Sequence, residues 1–302
     1  MSISRYPFWR YSLFQVPLAG FLLCLVIALL SFFLGFGRPP LAVAIALDLS
    51  SSTYPDGSTL FAPGSISVAE VEAVQEYLKL GGSQLKSPNE VFVFGFASQI
   101  KPLTEDFDSN TARIHESLDQ VLTQGPLLSP QLGDGTDLAL AITEGVQALG
   151  RFDDRCREML VVTDGAVDIA PAATAQAIAN RVKVHSVVIG SDSPALAAIA
   201  LATRGIHLPG ASPSQLKSLF TEDLFRSLNS NLRWIIFWLG MAWICLMWTF
   251  VLPLDRWIFQ GIYNLPMDLA GQLALGNALF WTMATPGIVW RVAGGLALFS
   301  AC

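Results

Sequence analysis

Two uncharged stretches, one toward each end, set the terms on which this 302-residue chain can fold. Residues 16–36 carry no charged side chain, and residues 234–254 form a second such run, bounded by Arg233 and by Asp255–Arg256. About twenty apolar residues in helical form cross the hydrocarbon core of a bilayer. The chain is 52% hydrophobic and only 14% charged, too apolar for an ordinary soluble domain. Trp234, Trp238 and Trp248 lie toward the ends of the second run, where indole rings favour the membrane interface. The first run is long for the apolar part of a signal peptide, and no Ala-x-Ala site follows it, so it reads as an uncleaved anchor.

Arg5 and Arg10 precede the first run with no acid before it, which keeps the N-terminus in the cytoplasm by the positive-inside rule. The expected organisation is a cytoplasmic N-terminus (1–15), a transmembrane helix (16–36), a middle domain (40–229), a second transmembrane helix (234–254) and an apolar C-terminal region (255–302). That last region could hold a third membrane segment. Asp268, Gln272, Asn277 and Arg291 interrupt it, and an interfacial or re-entrant course is equally open. The middle domain is expected outside the cytoplasmic (inner) membrane. Arg226 and Arg233 flank the second run on that outer side, but large domains are translocated largely regardless of such charges.

Within the middle domain strands alternate with helices. Residues 41–47, 90–96, 158–163 and 182–189 are apolar runs of strand length, with a short edge strand near 100–103. Helices are expected from Ser67, with Glu70 as its capping-box partner and Gly81–Gly82 as its stop, and at 109–122, 137–149 and 170–180. Ser193–Pro194 and Ser212–Pro213 open two more, with a short apolar stretch at 206–208 between them. Such alternation gives an α/β fold, a doubly wound, mostly parallel, Rossmann-like sheet flanked by the transmembrane helices. Ligands of such sheets bind outside the carboxyl ends of the strands, where strand order reverses.

The net charge of -6 belongs mostly to the middle domain, which has no Lys/Arg cluster, and this argues against nucleic acid as a partner. The four cysteines show no metal-type spacing and read as isolated thiols. His115, His185 and His207 are scattered, and His185 sits in a strand pattern that fits a structural role. Glu105, Asp106 and Asp108 read as a solvated loop. Residues 54–65 form a Gly/Pro-rich loop, either a partner surface or a solvated insertion. Asp134 and Asp137 flank Thr136 and could join a metal site with it, but one of them is expected to cap the helix that begins there, and Asp168 to cap the helix at Pro171.

The chemistry lies at the strand ends. Asp48, Ser50 and Ser52 close the run LAVAIALDLSSS, Thr136 follows in GDGTDLAL, and Asp164 follows in MLVVTDG. These are short, oxygen-bearing side chains, the hard donors that Mg²⁺ (or Mn²⁺) prefers. Two residues apart in an extended loop, Ser50 and Ser52 can point the same way. Asp48 can order metal-bound water or the hydroxyls, Thr136 adds a neutral oxygen and Asp164 a second carboxylate. An ion held by so few charges stays electropositive and seeks an outside carboxylate.

These residues resemble the metal-ion-dependent adhesion site of the von Willebrand factor A domain family, which is written Asp-x-Ser-x-Ser, then Thr, then Asp. The likeness covers roughly residues 40–229. It implies that Ser50, Ser52 and Thr136 touch the metal while Asp48 and Asp164 act through water. It also implies a protein partner that supplies an Asp or Glu. One span before and one after the domain looks like the membrane-anchored bacterial members grouped with the Bat aerotolerance proteins, although the tail beyond Leu254 has no place in that pattern.

The expected function is a non-enzymatic, membrane-anchored binding module in an envelope complex, with no catalytic residue. A Mg²⁺-dependent phosphatase of the haloacid dehalogenase type is the alternative enzyme. It needs a second acid two residues after its nucleophilic aspartate, and here that position is Ser50. A structural subunit of a membrane complex with an inactive metal site is the remaining alternative.

Overall fold

The computed structural model describes residues 7–54, 60–85, 87–165, 169–190 and 192–293. Arg5, the first part of the 54–65 loop, Asp168 and the end of the C-terminal tail lie outside the described residues. The chain divides into two units, one of residues 39–229 and one made by the segments on either side.

In the flanking unit, α1 (Ser12–Leu34) is a 23-residue helix without a charged side chain, and Leu232–Ile262 is a second helical run of 31 residues. At about 1.5 Å per residue both are long enough to cross a bilayer. The second run outlasts the apolar stretch seen in sequence, because a π-helical segment (Leu254–Ile262) carries it past Asp255 and Arg256. Asn231 donates from Nδ2 to the carbonyls of Ser31 (2.6 Å) and Phe36 (3.0 Å), satisfying backbone oxygens at the end of α1. The C-terminal region contains a 27-residue helix, Met267–Ala293. Trp248 Nε1 donates to its Thr282 hydroxyl at 3.0 Å. Among the described residues, α1 and Leu232–Ile262 are the two helices both long and apolar enough to span a membrane.

The middle unit is built on a six-stranded sheet of β1 (Leu41–Asp48), β2 (Glu90–Phe96), β3 (Ile100–Pro102), β4 (Cys156–Thr163), β5 (Val182–Ile189) and β6 (His207–Ala211). Their order is β3-β2-β1-β4-β5-β6. All neighbours are parallel except β2 and β3. The fold is therefore the expected doubly wound, mostly parallel α/β sheet. The chain moves outward from β1 in one direction through β2 and in the other through β4, so the order reverses between β1 and β4.

Every residue of β1 is buried, and its two faces differ in size. Leu41, Val43, Ile45 and Leu47 join a core of large side chains with α2 (Ile66–Gln84) and α3 (Thr111–Thr123). Ala42, Ala44 and Ala46 face the opposite core, which holds Leu138, Ile142, Val146 and Leu149. Small residues on that face leave room for the helix that carries them.

Between these strands come α4 (Gly125–Leu132), α5 (Leu138–Leu149), α6 (Pro171–Ala179) and α7 (Pro194–Thr203). The sequence pattern contained no sign of α4, which carries Pro130 inside it. Of the two flanking aspartates, Asp137 is the one that caps α5, accepting the Leu140 N–H at 2.9 Å. The start of α2 differs from expectation. Its N-cap is Ser65, whose hydroxyl oxygen accepts the Val68 N–H, so Glu70 is not in capping-box register. Nor do Gly81 and Gly82 end α2, which runs on to Gln84.

One surface assignment changes as well. Leu60 and Phe61, in the later half of the 54–65 loop, are buried in the core. The acidic loop at 105–108 reaches solvent as expected, with Arg151 binding Asp106 and Arg113 binding Asp108 at 2.9 Å on exposed or partly exposed side chains. Cys24 and Cys245 are free.

Candidate metal site at the strand ends

β1 ends at Asp48 and β4 at Thr163, one residue before Asp164. The two carboxylates thus flank the place where strand order reverses, the usual ligand position in such sheets. The rim loop after β1 is held down from below. The Leu49 N–H donates to the Phe96 carbonyl at 2.8 Å, and the Leu49 side chain packs over Gly95. A Cβ at Gly95 would lie 2.3 Å from Leu49 Cδ1, so any larger residue there would lift the loop.

Asp48 is fully buried. Its Oδ1 accepts the Ser50 N–H at 3.0 Å, and its Oδ2 accepts the Thr163 hydroxyl at 2.5 Å. Burial pushes the Asp48 carboxyl above its ordinary value and the Asp164 charge adds to this, against the opposing hydrogen bonds from Ser50 and Thr163. Asp48 thereby fixes the backbone turn and ties β1 to β4. Thr163 is a site residue without a role in the sequence reading. Its signal was its place in the Thr–Asp–Gly triplet, at the polar end of an otherwise apolar strand.

The hydroxyls form a chain. Ser52 Oγ donates to Asp164 Oδ1 at 2.8 Å. Ser50 Oγ lies 3.0 Å from Ser52 Oγ, within hydrogen-bond distance. The chain passes from buried Ser50 to exposed Ser52 and then to half-buried Asp164, from the interior toward solvent. Four of the five expected residues are therefore linked directly by hydrogen bonds.

Thr136 reaches the same rim through its backbone. The Ser51 hydroxyl donates to the Asp134 carbonyl at 3.2 Å. The Gly135 N–H donates to Ser98 Oγ at 2.8 Å and the Asp137 N–H to the Ala97 carbonyl at 2.8 Å, just beyond β2. The Thr136 side chain is half-buried and makes no hydrogen bond to a described residue. A free hydroxyl between fixed backbone points suits a ligand atom better than a structural one.

The donor set is all oxygen, with hydroxyls outnumbering carboxylates, and this fits a hard divalent cation. Among the described residues, no three His, Cys, Asp or Glu side chains converge as a metal-ligand cluster, so softer thiolate–imidazole chemistry has no counterpart there. His185 is structural. Its Nδ1 accepts the Ile206 N–H at 3.1 Å, and its Nε2 lies against Glu158.

One further acid was missed. Glu70, on α2, is fully buried, and neither of its carboxylate oxygens has a hydrogen-bond partner among the described residues. Burial first, then the negative charges of Asp48 and Asp164, pushes its carboxyl well above the ordinary value.

No family model matches this sequence, and no curated protein matches it. Solved structures of similar fold include an aerotolerance-related membrane protein from Bacteroides fragilis, with 16% identity over 61% of this chain and 98% of that one and a TM-score of 0.46. Another is a von Willebrand factor type A protein from Catenulispora acidiphila, with 17% identity, 63% and 43% coverage and a TM-score of 0.49. A third is proximal thread matrix protein 1 from the mussel byssus with a zinc-occupied MIDAS motif, at 16% identity, 63% and 48% coverage and a TM-score of 0.49. At identities and TM-scores this low the likenesses carry no argument, and both the fold and the chemistry of the site stand on the residues of this chain.

Proposed function

We propose that this chain is a membrane-anchored module of the von Willebrand factor A type, and that it binds a partner protein through a divalent ion at the rim of the sheet. Ser50, Ser52, Thr136 and Asp164 would hold the ion, and Asp48 would set their positions. The observation that carries this reading is the Ser52–Asp164 hydrogen bond of 2.8 Å, which joins oxygens from the ends of two separate strands at the point where their order reverses. Bound there, Mg²⁺ or Mn²⁺ would supply a Lewis-acidic position for an outside carboxylate, an Asp or Glu of the partner. The rim's own groups do the rest. Leu49 over Gly95 seats the loop, Asp48 and Thr163 lock it to β4, and exposed Ser52 faces the side from which a partner approaches.

The two spanning-length helices support anchoring in the cytoplasmic membrane, and the charges before α1 support an extracytoplasmic domain in an envelope complex. The state of Asp48 weighs against a phosphatase. A nucleophilic aspartate must reach a phosphorus atom, yet this one is buried with both oxygens accepting hydrogen bonds.

Crosslinking in native membranes tests the reading. Captured partner should depend on Mg²⁺ or Mn²⁺, fall with chelator and be lost in Asp48→Ala. Equal capture by the variant and the parent, with and without chelator, would defeat it. Hydrolysis of an aryl phosphate that vanishes in Asp48→Ala would restore the enzyme.

A further inference from the structure

We propose that Glu70 is a charge-balancing residue of the rim site, one that strengthens divalent-ion binding from inside the domain without being a direct ligand. The inference rests on the metal reading above and deepens it.

Glu70 lies in the second turn of α2, the helix that follows the rim loop. Ser67, Glu70, Val71 and Val74 are all buried and form the helix stripe turned to the sheet, at the spacing of a single face. The carboxylate therefore points inward near the carboxyl end of β1, where Asp48 sits. The charges of Asp48 and Asp164 both reach it.

Among the described residues, none of these three acids is in an ion pair. A fully buried carboxylate without a hydrogen bond or a cation is strongly disfavoured. Glu70 alone of the three is both fully buried and without a hydrogen bond, and among the described residues no cationic side chain pairs with any of them. A divalent ion at the rim would supply positive charge nearby. Fully buried on α2 while Ser52 is exposed at the rim, Glu70 would act from behind the ligands, as a second layer of charge. Outer groups of this kind commonly change metal affinity by about 10- to 100-fold.

The experiment uses the full chain in detergent micelles, with Mn²⁺ alone as the probe, followed by calorimetric titration. Glu70→Gln keeps the shape and removes the charge, and should weaken Mn²⁺ binding by about tenfold or more. Glu70→Asp keeps the charge and should retain most of the affinity. Glu72→Gln serves as the surface control, since Glu72 pairs with Lys217 at 2.8 Å on exposed side chains, and should bind as the parent does. Thermal melts without metal establish that each variant is folded. Parent-like Mn²⁺ affinity in folded Glu70→Gln would overturn the proposal, as would equal loss in Glu70→Gln and Glu70→Asp, which would mark a role of shape and not of charge. A parent that binds no Mn²⁺ at all would overturn the metal reading itself, a result distinct from either.

Discussion

Glu70 and Glu158 are both buried glutamates of one domain, and they are handled in opposite ways. Glu158, on β4, has Lys183 Nζ at 2.9 Å on one oxygen and His185 Nε2 at 2.5 Å on the other. Burial works against its charge, but the hydrogen bonds and charges of His185 and Lys183 outweigh that and hold its carboxyl below the ordinary value. Glu70 has no such partner among the described residues, and its carboxyl is pushed up, by burial first. The paired acid stands near the start of its strand, at the sheet end away from the rim. The unpaired one lies by the strand ends, beside two more acids. One buried carboxylate is satisfied completely and the other has no partner among the described residues, the contrast expected between a structural group and one that the proposed cation would balance.

The largest effect belongs to the paired acid. Glu158→Gln strips Lys183 and His185 of their acceptor and should destabilise the domain by about 3 kcal/mol, measured by denaturant unfolding. Loss of less than about 1 kcal/mol would remove the contrast between the two sites. Thr163→Val takes a donor from buried Asp48 and should cost about 2 kcal/mol in the same assay. Glu70→Gln breaks no hydrogen bond and removes a buried charge, so at neutral pH the metal-free protein should be at least as stable as the parent.

Stability against pH should sharpen the comparison, because the two acids have opposite signs. With its folded value lowered, Glu158 contributes stability that is present above its ordinary value near 4.5 and lost as pH falls through the folded value. With its folded value raised, Glu70 contributes stability that is present below about 4.5 and lost as pH rises toward the folded value. Metal-free melts across pH should therefore lose the acid-side fall in Glu158→Gln and the alkaline-side fall in Glu70→Gln. Identical profiles in both variants would contradict the assignment.

The sequence and the structure meet most closely at the strand ends. β1 and β5 could be read because an apolar run of strand length ends in a polar residue or a glycine. The rim residues could be read because Asp48 and Asp164 interrupt such runs at their carboxyl ends. Glu70 was hidden by a plausible local pattern. Ser67 and Glu70 have capping-box spacing, but the helix starts at Ser65, and nothing local says that a helical glutamate turns inward. Gly81–Gly82 imitated a stop for a similar reason. A Cβ at Gly82 would lie 2.6 Å from Thr111 Oγ1, so this glycine serves the close approach of α2 to the start of α3, a long-range constraint. Thr163 had no role in the sequence because its partner, Asp48, is 115 residues away.

The most direct test is electron paramagnetic resonance of Mn²⁺ added to the full chain in detergent micelles, comparing the parent with Asp48→Ala and with the capping variant Asp137→Ala. A bound-Mn²⁺ signal in the parent and in Asp137→Ala, absent in Asp48→Ala, is the expected result. An undiminished signal in folded Asp48→Ala, or none in the parent, would contradict a divalent-ion site at the ends of β1 and β4.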